Sequence, residues 1–413
     1  MKCRHCNRDL RYRFLDLGSA PPSNAYRTLE SLDQPETWYP LRLLVCTECW
    51  LVQTEDYTKR EALFDESYAY FSAFSSSWLE HSHRYVVDMR SRFGLGPESC
   101  VVEVAANDGY LLQYVKAAGI PCYGIEPTAS TAAAARAKGI EMIERFFSVN
   151  LAKELAASSR KADLITANNV LAHVPDINDF VSGFVHLLKP SGVATFEFPH
   201  LLRMVQGCQF DTAYHEHYSY LSLLAVQRIF AANGLTVIDV EQLPTHGGSL
   251  RVFASLSNAD QTPHASALGA ARIQQVLEDE LAAGMLKVDF YTNFQCQALR
   301  IKRELISFLL NCQSRGVRVG AYGAAAKGNT LLNFAGLRSD LLPYVVDKNP
   351  AKQGKFLPGS RIPILGETYL QTHQPDYILI LPWNLREEIV AQLNYVREWG
   401  GKFVVAVPHL EVF

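Results

Sequence analysis

Apolar and polar positions change rhythm along this chain, and each change marks an element. Residues 1–60 hold only short apolar runs between turn-forming residues, the pattern of short strands and turns. Over 76–93 apolar positions recur at helical spacing, which predicts a helix there, entered through a loop at 65–72. From 99 to about 255, apolar runs at 101–105, 122–126, 163–167 and 192–197 alternate with helical stretches, among them 108–118 and 129–138. Such alternation predicts a parallel, doubly wound sheet. A helical rhythm then covers 266–314, too long for one connection, so one or two breaks are expected. A second α/β unit follows, with strands at 317–323, 342–347, 377–381 and 402–407 and a helix from Gly328. The expected fold class is α/β in three parts: a small module over 1–65, a doubly wound domain over 66–260 and a Rossmann-like domain over 261–413.

Cysteine spacing changes the reading of the first part. Cys3-x-x-Cys6 and Cys46-x-x-Cys49 are two knuckles, and together they supply the four thiolates of a closed tetrahedral zinc site. A closed site has no position for a substrate, so this metal is expected to hold structure; the spacing does not separate zinc from iron. The 39 residues between the knuckles exceed a compact ribbon. The inserted stretch, which includes residues 17–24, is either a linker or a loop that reaches the active site. The other five cysteines are scattered, as reduced thiols of the cytoplasm are. A net charge of −3 gives no electrostatic footprint for nucleic acid. No apolar run of about 18 residues occurs, so no membrane span is expected.

The strand at 101–105 runs into Glu103-Val104-Ala105-Ala106-Asn107-Asp108-Gly109 and then a helix. A pyrophosphate wants bare glycine backbone at such a turn. Here Ala105 and Asn107 stand where two glycines would, and Asn107 and Asp108 add acceptors that suit an ammonium group. Glu126 ends the next strand 17 residues past Gly109, where a carboxylate takes ribose hydroxyls, and Pro127 follows it. S-adenosylmethionine therefore fits better than NAD. The strand at 163–167 leads into Asn168-Asn169 and then His173; this half resembles a class I methyltransferase, in which the fourth strand ends beside the methyl donor, and that resemblance implies a place for His173 near the reaction site.

In Tyr214-His215-Glu216-His217-Tyr218-Ser219-Tyr220 every side chain is ionisable or carries a hydroxyl. A general base oriented by a carboxylate is the favoured reading, with tyrosine hydroxyls available to a developing enolate. The small-residue loop 323–329 at a helix start is a natural diphosphate seat, with Lys327, Lys352 and Lys355 as cations.

These motifs, in order along nearly the whole chain, resemble the S-adenosylmethionine-dependent C-methyltransferases of deoxysugar biosynthesis, which act on nucleotide-linked 4-keto-6-deoxysugars. The resemblance rests on the cysteine pairs, Asn107-Asp108-Gly109, Glu126-Pro127, Tyr214-His215-Glu216-His217, His246-Gly247-Gly248-Ser249-Leu250-Arg251, the 323–330 loop and the 347–354 segment. It implies that the middle domain has the class I methyltransferase fold. It implies His217 as the base, with Tyr214, Glu216, His173 and Tyr68 lining the same site. Cofactor contacts would come from Glu103, Ala105, Asn107, Asp108, Gly109, Glu126, Pro127, Asn168 and Asn169. Substrate contacts would come from Tyr70, Gly248, Ser249, Arg251, Lys327, Asn329, Asp347, Lys352 and Lys355. The implied reaction is methylation at C-3 of a dTDP-linked 4-keto-deoxysugar by a monomeric enzyme. Methylation at C-5, on oxygen or on nitrogen, and a non-catalytic scaffold that binds zinc and S-adenosylmethionine, are the alternatives.

Overall fold

The computed structural model describes residues 1–57, 72–257 and 264–413. Tyr68 and Tyr70 lie outside the described residues. Three sheets organise the described residues. The central sheet has seven strands, in the order Leu235–Leu243, Ser249–Leu256, Leu188–Pro199, Ala162–Asn168, Val101–Val104, Cys122–Ile125 and Glu141–Ile143. The last five of these are parallel, and the first two join as an antiparallel pair. The strand order reverses beside Val101–Val104, so a crevice opens at the carboxyl ends there, where ligands of doubly wound sheets bind.

The helix expected from residue 108 begins only at Leu112 and ends at Ala117. Ala105, Asn107 and Gly109 take left-handed backbone angles (φ 59°, 48° and 73°), which coil 105–111 into tight turns. At Gly109 a side chain would also lie 2.5 Å from Ile140 Cδ1, so packing requires the glycine. The long helical rhythm breaks at Gly284 (φ 88°). It forms Ala267–Ala282, capped by the Ser266 hydroxyl, then Val288–Thr292 and Phe294–Ser314.

The C-terminal sheet runs Ile364–Leu365, Val345–Val346, Val319–Tyr322, Tyr377–Ile380, Lys402–Val405 and Glu411–Val412. All but the last strand are parallel. The helix Ala326–Ala335 starts at the carboxyl end of Val319–Tyr322, at the point where the strand order reverses.

The N-terminal sheet joins Tyr12–Ala20, Tyr39–Val45 and Val52–Thr54 and is completed by Ser219–Tyr220 from the middle of the chain. Its apolar side chains do not form a core of their own. Phe14, Leu15, Leu43 and Val45 share one cluster with Phe294, Ile301 and Leu305, while Cys3, Cys46, Cys49 and Leu51 join the cluster under the central sheet. Phe14 stacks on Phe294 at 4.8 Å. A stretch of about 55 residues buries too little apolar surface to stand alone, so it borrows the faces of its neighbours and a metal.

The four knuckle thiols converge. Cys3 and Cys49 Sγ are 3.5 Å apart, as are Cys6 and Cys46 Sγ, and all four sulfurs lie within 4.8 Å of one another. Sulfurs each about 2.3 Å from a tetrahedral zinc ion lie about 3.8 Å apart, so the residues present fit that ion. Gln53 Nε2 donates to Cys3 Sγ at 3.2 Å, the outer-shell contact that orients a thiolate. Cys49→Ser is expected to reduce bound zinc to well below about one ion per chain and to lower the melting temperature by about 5 °C, or about 2 kcal/mol. Metal analysis and thermal melts check both.

Candidate functional site

One cavity of about 430 Å³ lies where the three parts of the chain meet. Asn24 of the inserted stretch, the carboxyl-end loops of the central sheet, and the start of the helix Ala326–Ala335 all line it. Among the described residues no helix is long and apolar enough to cross a membrane.

The central sheet supplies one side. Ala105, Asn107, Glu126, Pro127, Asn168 and Asn169 line the cavity together with Trp78 and Tyr110. Glu126 carries the turn: its Oε2 accepts from Asn107 N–H and its Oε1 from Thr128 N–H, each at 3.0 Å. Burial raises its pKa, and each oxygen retains a further lone pair for a hydroxyl. Asn168 Oδ1 and Asn169 Oδ1 are buried acceptors with no hydrogen-bond partner among the described residues. Acceptors left open in a cavity match the ammonium and hydroxyl donors of S-adenosylmethionine, so these residues fit that cofactor.

Three expected cofactor residues stand elsewhere. Glu103 is fully buried beneath the strand, and its pKa is raised well above the carboxylate range by desolvation. Asp108 is not on the cavity wall; its Oδ2 accepts from Ala73 N–H and lies 3.8 Å from Lys138, while its buried Oδ1 has no hydrogen-bond partner among the described residues. Gly109 packs on Ile140. Asn107 does line the cavity, but its Oδ1 already accepts from Ser72 N–H at 2.9 Å. Thus the Asn-Asp pair anchors the chain that enters the helix Ser76–Phe93, a role that spacing alone could not separate from ligand binding.

Histidines supply the opposite side. His173, Tyr214 and His217 line the cavity; the imidazoles of His173 and His217 meet edge to face at 4.6 Å, and the Tyr214 ring is 4.0 Å from that of His217. His217 Nδ1 donates to the Thr212 carbonyl at 2.9 Å, which leaves Nε2 with the lone pair. His173 Nδ1 donates to the Glu216 carbonyl at 2.8 Å. Burial pushes His173 down to about 4, and burial followed by the neighbouring His173 holds His217 well below its ordinary value. Both are therefore neutral at physiological pH.

The expected carboxylate partner of His217 is replaced. The Glu216 carboxyl points to the inserted stretch, where Oε1 accepts from Asn24 Nδ2 at 3.1 Å and Oε2 is buried with no hydrogen-bond partner among the described residues. A backbone carbonyl, not Glu216, orients His217. Desolvation raises the pKa of Glu216. The loop over 17–24 reaches the site through this contact.

From the C-terminal domain, Lys327 and Lys352 line the cavity. Lys327 Nζ sits 4.5 Å from the Trp383 ring centroid and donates to Asn384 Oδ1 at 3.1 Å; burial pushes it down to about 8. Lys352 Nζ donates to the Ala324 carbonyl at 2.9 Å. Asp347 lies behind the loop, accepting from Ala324 and Asn349 N–H, and Asn329 and Lys355 are not on the cavity wall. Of the 246–251 segment only His246 reaches the cavity. Gly248 packs on Arg203, Ser249 bonds Thr245, and Arg251 pairs with buried Glu197 at 2.9 Å. Trp78, Thr212, His246 and Asn384 also line the cavity, although the sequence assigns them no role, and Asn24 brings the inserted stretch to it. His246 stands in a motif, whereas nothing local marks Trp78 or Thr212.

Family models match almost the whole chain. A zinc binding domain matches 3–64, a methyltransferase domain 78–240, and a C-methyltransferase C-terminal domain 244–408. The curated C-methyltransferase NovU of Streptomyces niveus is 32% identical over 411 residues, covering 100% of this chain and 96% of that one. Among solved structures, the 1,6-didemethyltoxoflavin-N1-methyltransferase of Burkholderia thailandensis aligns with 50% of this chain and 96% of its own, at 16% identity and a TM-score of 0.38. The magnesium protoporphyrin IX methyltransferase of Synechocystis PCC 6803 aligns with 43% of this chain and 77% of its own, at 16% identity and a TM-score of 0.32.

The depressed histidine has a measurable consequence. As pH falls, an unfolded chain protonates His173 near 6.5, whereas the folded chain does so only near 4. The contribution of the neutral imidazole is complete above pH 6.5 and is lost on the way down to about 4. Relative to His173→Gln, the wild type is expected to lose about 1.4 kcal/mol of stability per pH unit across that window. Denaturant melts of both proteins at about pH 7, 5.5 and 4.5 check this; a constant difference would contradict it.

Proposed function

The chain belongs to the family of S-adenosylmethionine-dependent C-methyltransferases, and from that premise we propose that it methylates C-3 of a dTDP-linked 4-keto-deoxysugar. The observation that carries this reading is the shared cavity: open acceptors, a neutral imidazole pair and two half-buried lysines face one space. A hexose carbon becomes nucleophilic only when a neighbouring ketone acidifies its C–H bond, and a 4-keto group does so at C-3. A site for this chemistry needs a base at the carbon, a donor at the ketone oxygen and a hold on the remote nucleotide.

Each need has a candidate in the chain. His217, held by Thr212, offers Nε2 to the C-3 proton. The C–H pair passes into the enolate as the N–H bond forms, and the anion so produced offsets the buried imidazolium. The Tyr214 hydroxyl is the proposed donor to the enolate oxygen. S-adenosylmethionine, when bound, supplies an electrophilic methyl group; Glu126, Asn168 and Asn169 are the residues proposed to hold it. Lys327, Lys352 and the N–H groups at the start of Ala326–Ala335 are proposed to seat the diphosphate. Burial lowers Lys327 only to about 8, so it keeps its charge near neutral pH, and a phosphate beside it would stabilise that charge further. Tyr68 and Tyr70 remain candidates for the sugar.

Incubation with dTDP-4-keto-6-deoxyglucose, or its 3-amino-2-deoxy analogue, in deuterated water tests the reading. A methyl group at C-3 by NMR, with deuterium entering C-3 when the methyl donor is withheld, is the expected result. Absence of both would overturn it. His217→Asn should lower kcat by at least about 100-fold while leaving affinity for S-adenosylmethionine within about twofold by calorimetry. Retained turnover would remove His217 from the role of base.

A further inference from the structure

The zinc module touches the catalytic loops through two side chains that neither line the cavity nor bind metal. Arg4 lies between Cys3 and Cys6, and its side chain is 5% exposed. Its guanidinium works as a fork. Nη1 donates to the carbonyl of Pro175, two residues past His173, at 2.8 Å, while Nη2 donates to the Thr54 carbonyl at 3.0 Å and pairs with Asp56 at 2.8 Å. The same guanidinium lies 5.3 Å from the Tyr218 ring centroid. Thr54 is the last residue of Val52–Thr54. Its hydroxyl donates to the carbonyl of His217 itself, and its N–H donates to the Tyr218 carbonyl at 3.1 Å. Gln53, between these partners, accepts from Arg4 N–H at 2.8 Å and donates to Cys3 Sγ at 3.2 Å.

We propose that Arg4 and Thr54 are positioning residues for the base, tying the first zinc knuckle to the two loops that bring His217 and His173 face to edge. The proposal rests on His217 being the base. The path is short: from the Cys3 thiolate, one hydrogen bond reaches Gln53, the adjoining residue is Thr54, and one further bond reaches His217. The ring of His217 is constrained by its Nδ1 bond to Thr212 and by its contacts with His173, Tyr214 and Tyr220, and none of these fixes the carbonyl. Arg4 sets the second loop by its bond to Pro175, and the Tyr218 N–H joins the two loops through the Ala172 carbonyl at 2.8 Å. A fork that bridges two carbonyls cannot be replaced by the single ammonium of lysine. A metal site closed to substrate thereby acts on the reaction through geometry, where an error of about 1 Å can cost about 100-fold in rate.

Thr54→Val, Thr54→Ser and Arg4→Lys separate this role from folding. Thr54→Val keeps the shape and deletes the hydroxyl, and Thr54→Ser restores it. The readouts are zinc content, calorimetric affinity for S-adenosylmethionine, kcat on the dTDP-linked ketosugar, and imidazole ¹⁵N signals of the ligand-free full chain. Thr54→Val is expected to keep its zinc and its affinity for S-adenosylmethionine, to lose at least about tenfold in kcat, and to shift or broaden the His217 signal while that of His200 stays in place. Thr54→Ser should return kcat to within about threefold of wild type, and Arg4→Lys should behave as Thr54→Val. Should Thr54→Val lose zinc or fail to fold, Arg4→Lys decides on the same readouts. Wild-type kcat with an unmoved His217 signal in a folded, zinc-loaded variant overturns the proposal. If the wild type itself does not turn over the ketosugar, the substrate reading fails instead, and the imidazole signals alone decide this one.

Discussion

Burying imidazoles against backbone carbonyls, rather than against carboxylates, governs the centre of this molecule. A histidine among acids could sit protonated and be held by charge. Desolvation instead keeps His173 and His217 neutral. A neutral imidazole buried in protein must give its N–H to an acceptor. Both rings give Nδ1–H to backbone carbonyls, those of Glu216 and Thr212. Backbone acceptors do not swing as side chains do. The loops carrying them must therefore be fixed themselves, and much of the surrounding architecture serves that end.

Several parts of the chain do the fixing. Ser219–Tyr220 is drawn into the N-terminal sheet as its fourth strand, so the histidine loop ends inside a sheet it does not belong to by sequence. Asn24 reaches the Glu216 carboxyl, Tyr26 bonds the Ala324 carbonyl, and Arg27 pairs with Phe356. The inserted stretch between the knuckles thus crosses from the histidines to the loop before the helix Ala326–Ala335. This accounts for the long gap between the cysteine pairs: the module spans the other two parts of the chain. Its lack of a private core follows from the same fact, since Phe14 and Leu43 pack on one neighbour and Cys46 and Leu51 on another.

What can be read from the residues divides along a physical line. The four-cysteine cluster and the α/β alternation are legible, because thiol spacing and strand period are local properties. His173, Tyr214 and His217 in one cavity are legible as a group because polar aromatic residues rarely crowd by chance. Partners are not legible. Glu216 meets Asn24, 192 positions away, and only the tertiary approach of the inserted stretch decides that. The Asn-Asp pair shows the same limit. Acceptors at a tight turn suit an ammonium ligand, but they equally suit backbone N–H groups of a neighbouring segment, and Ser72 and Ala73 occupy one oxygen of each residue. The length of the helical rhythm over 266–314 implies a break without saying where, although Gly284 marks the place.

The electrostatics of the cavity are incomplete without ligands, and in a consistent direction. On the central-sheet side, open acceptors at Asn168 and Asn169 await donors. On the C-terminal side, Lys327 is held by Asn384 and the Trp383 ring, with Asp211 nearby and itself pushed up to about 6 by burial. A full counter-ion would neutralise Lys327 permanently and weaken its hold on an anion. A carboxyl whose ionisation is disfavoured and an aromatic face stabilise the ammonium only in part, as the proposed contact with a phosphate would require. The histidines between these two sides stay uncharged, so they neither repel a cationic donor nor compete for an anionic substrate. On the proposed reading, a neutral base between an acceptor-rich side and a cation-rich side would bring together two ligands of opposite charge and would gain its own charge only in the step that creates the enolate.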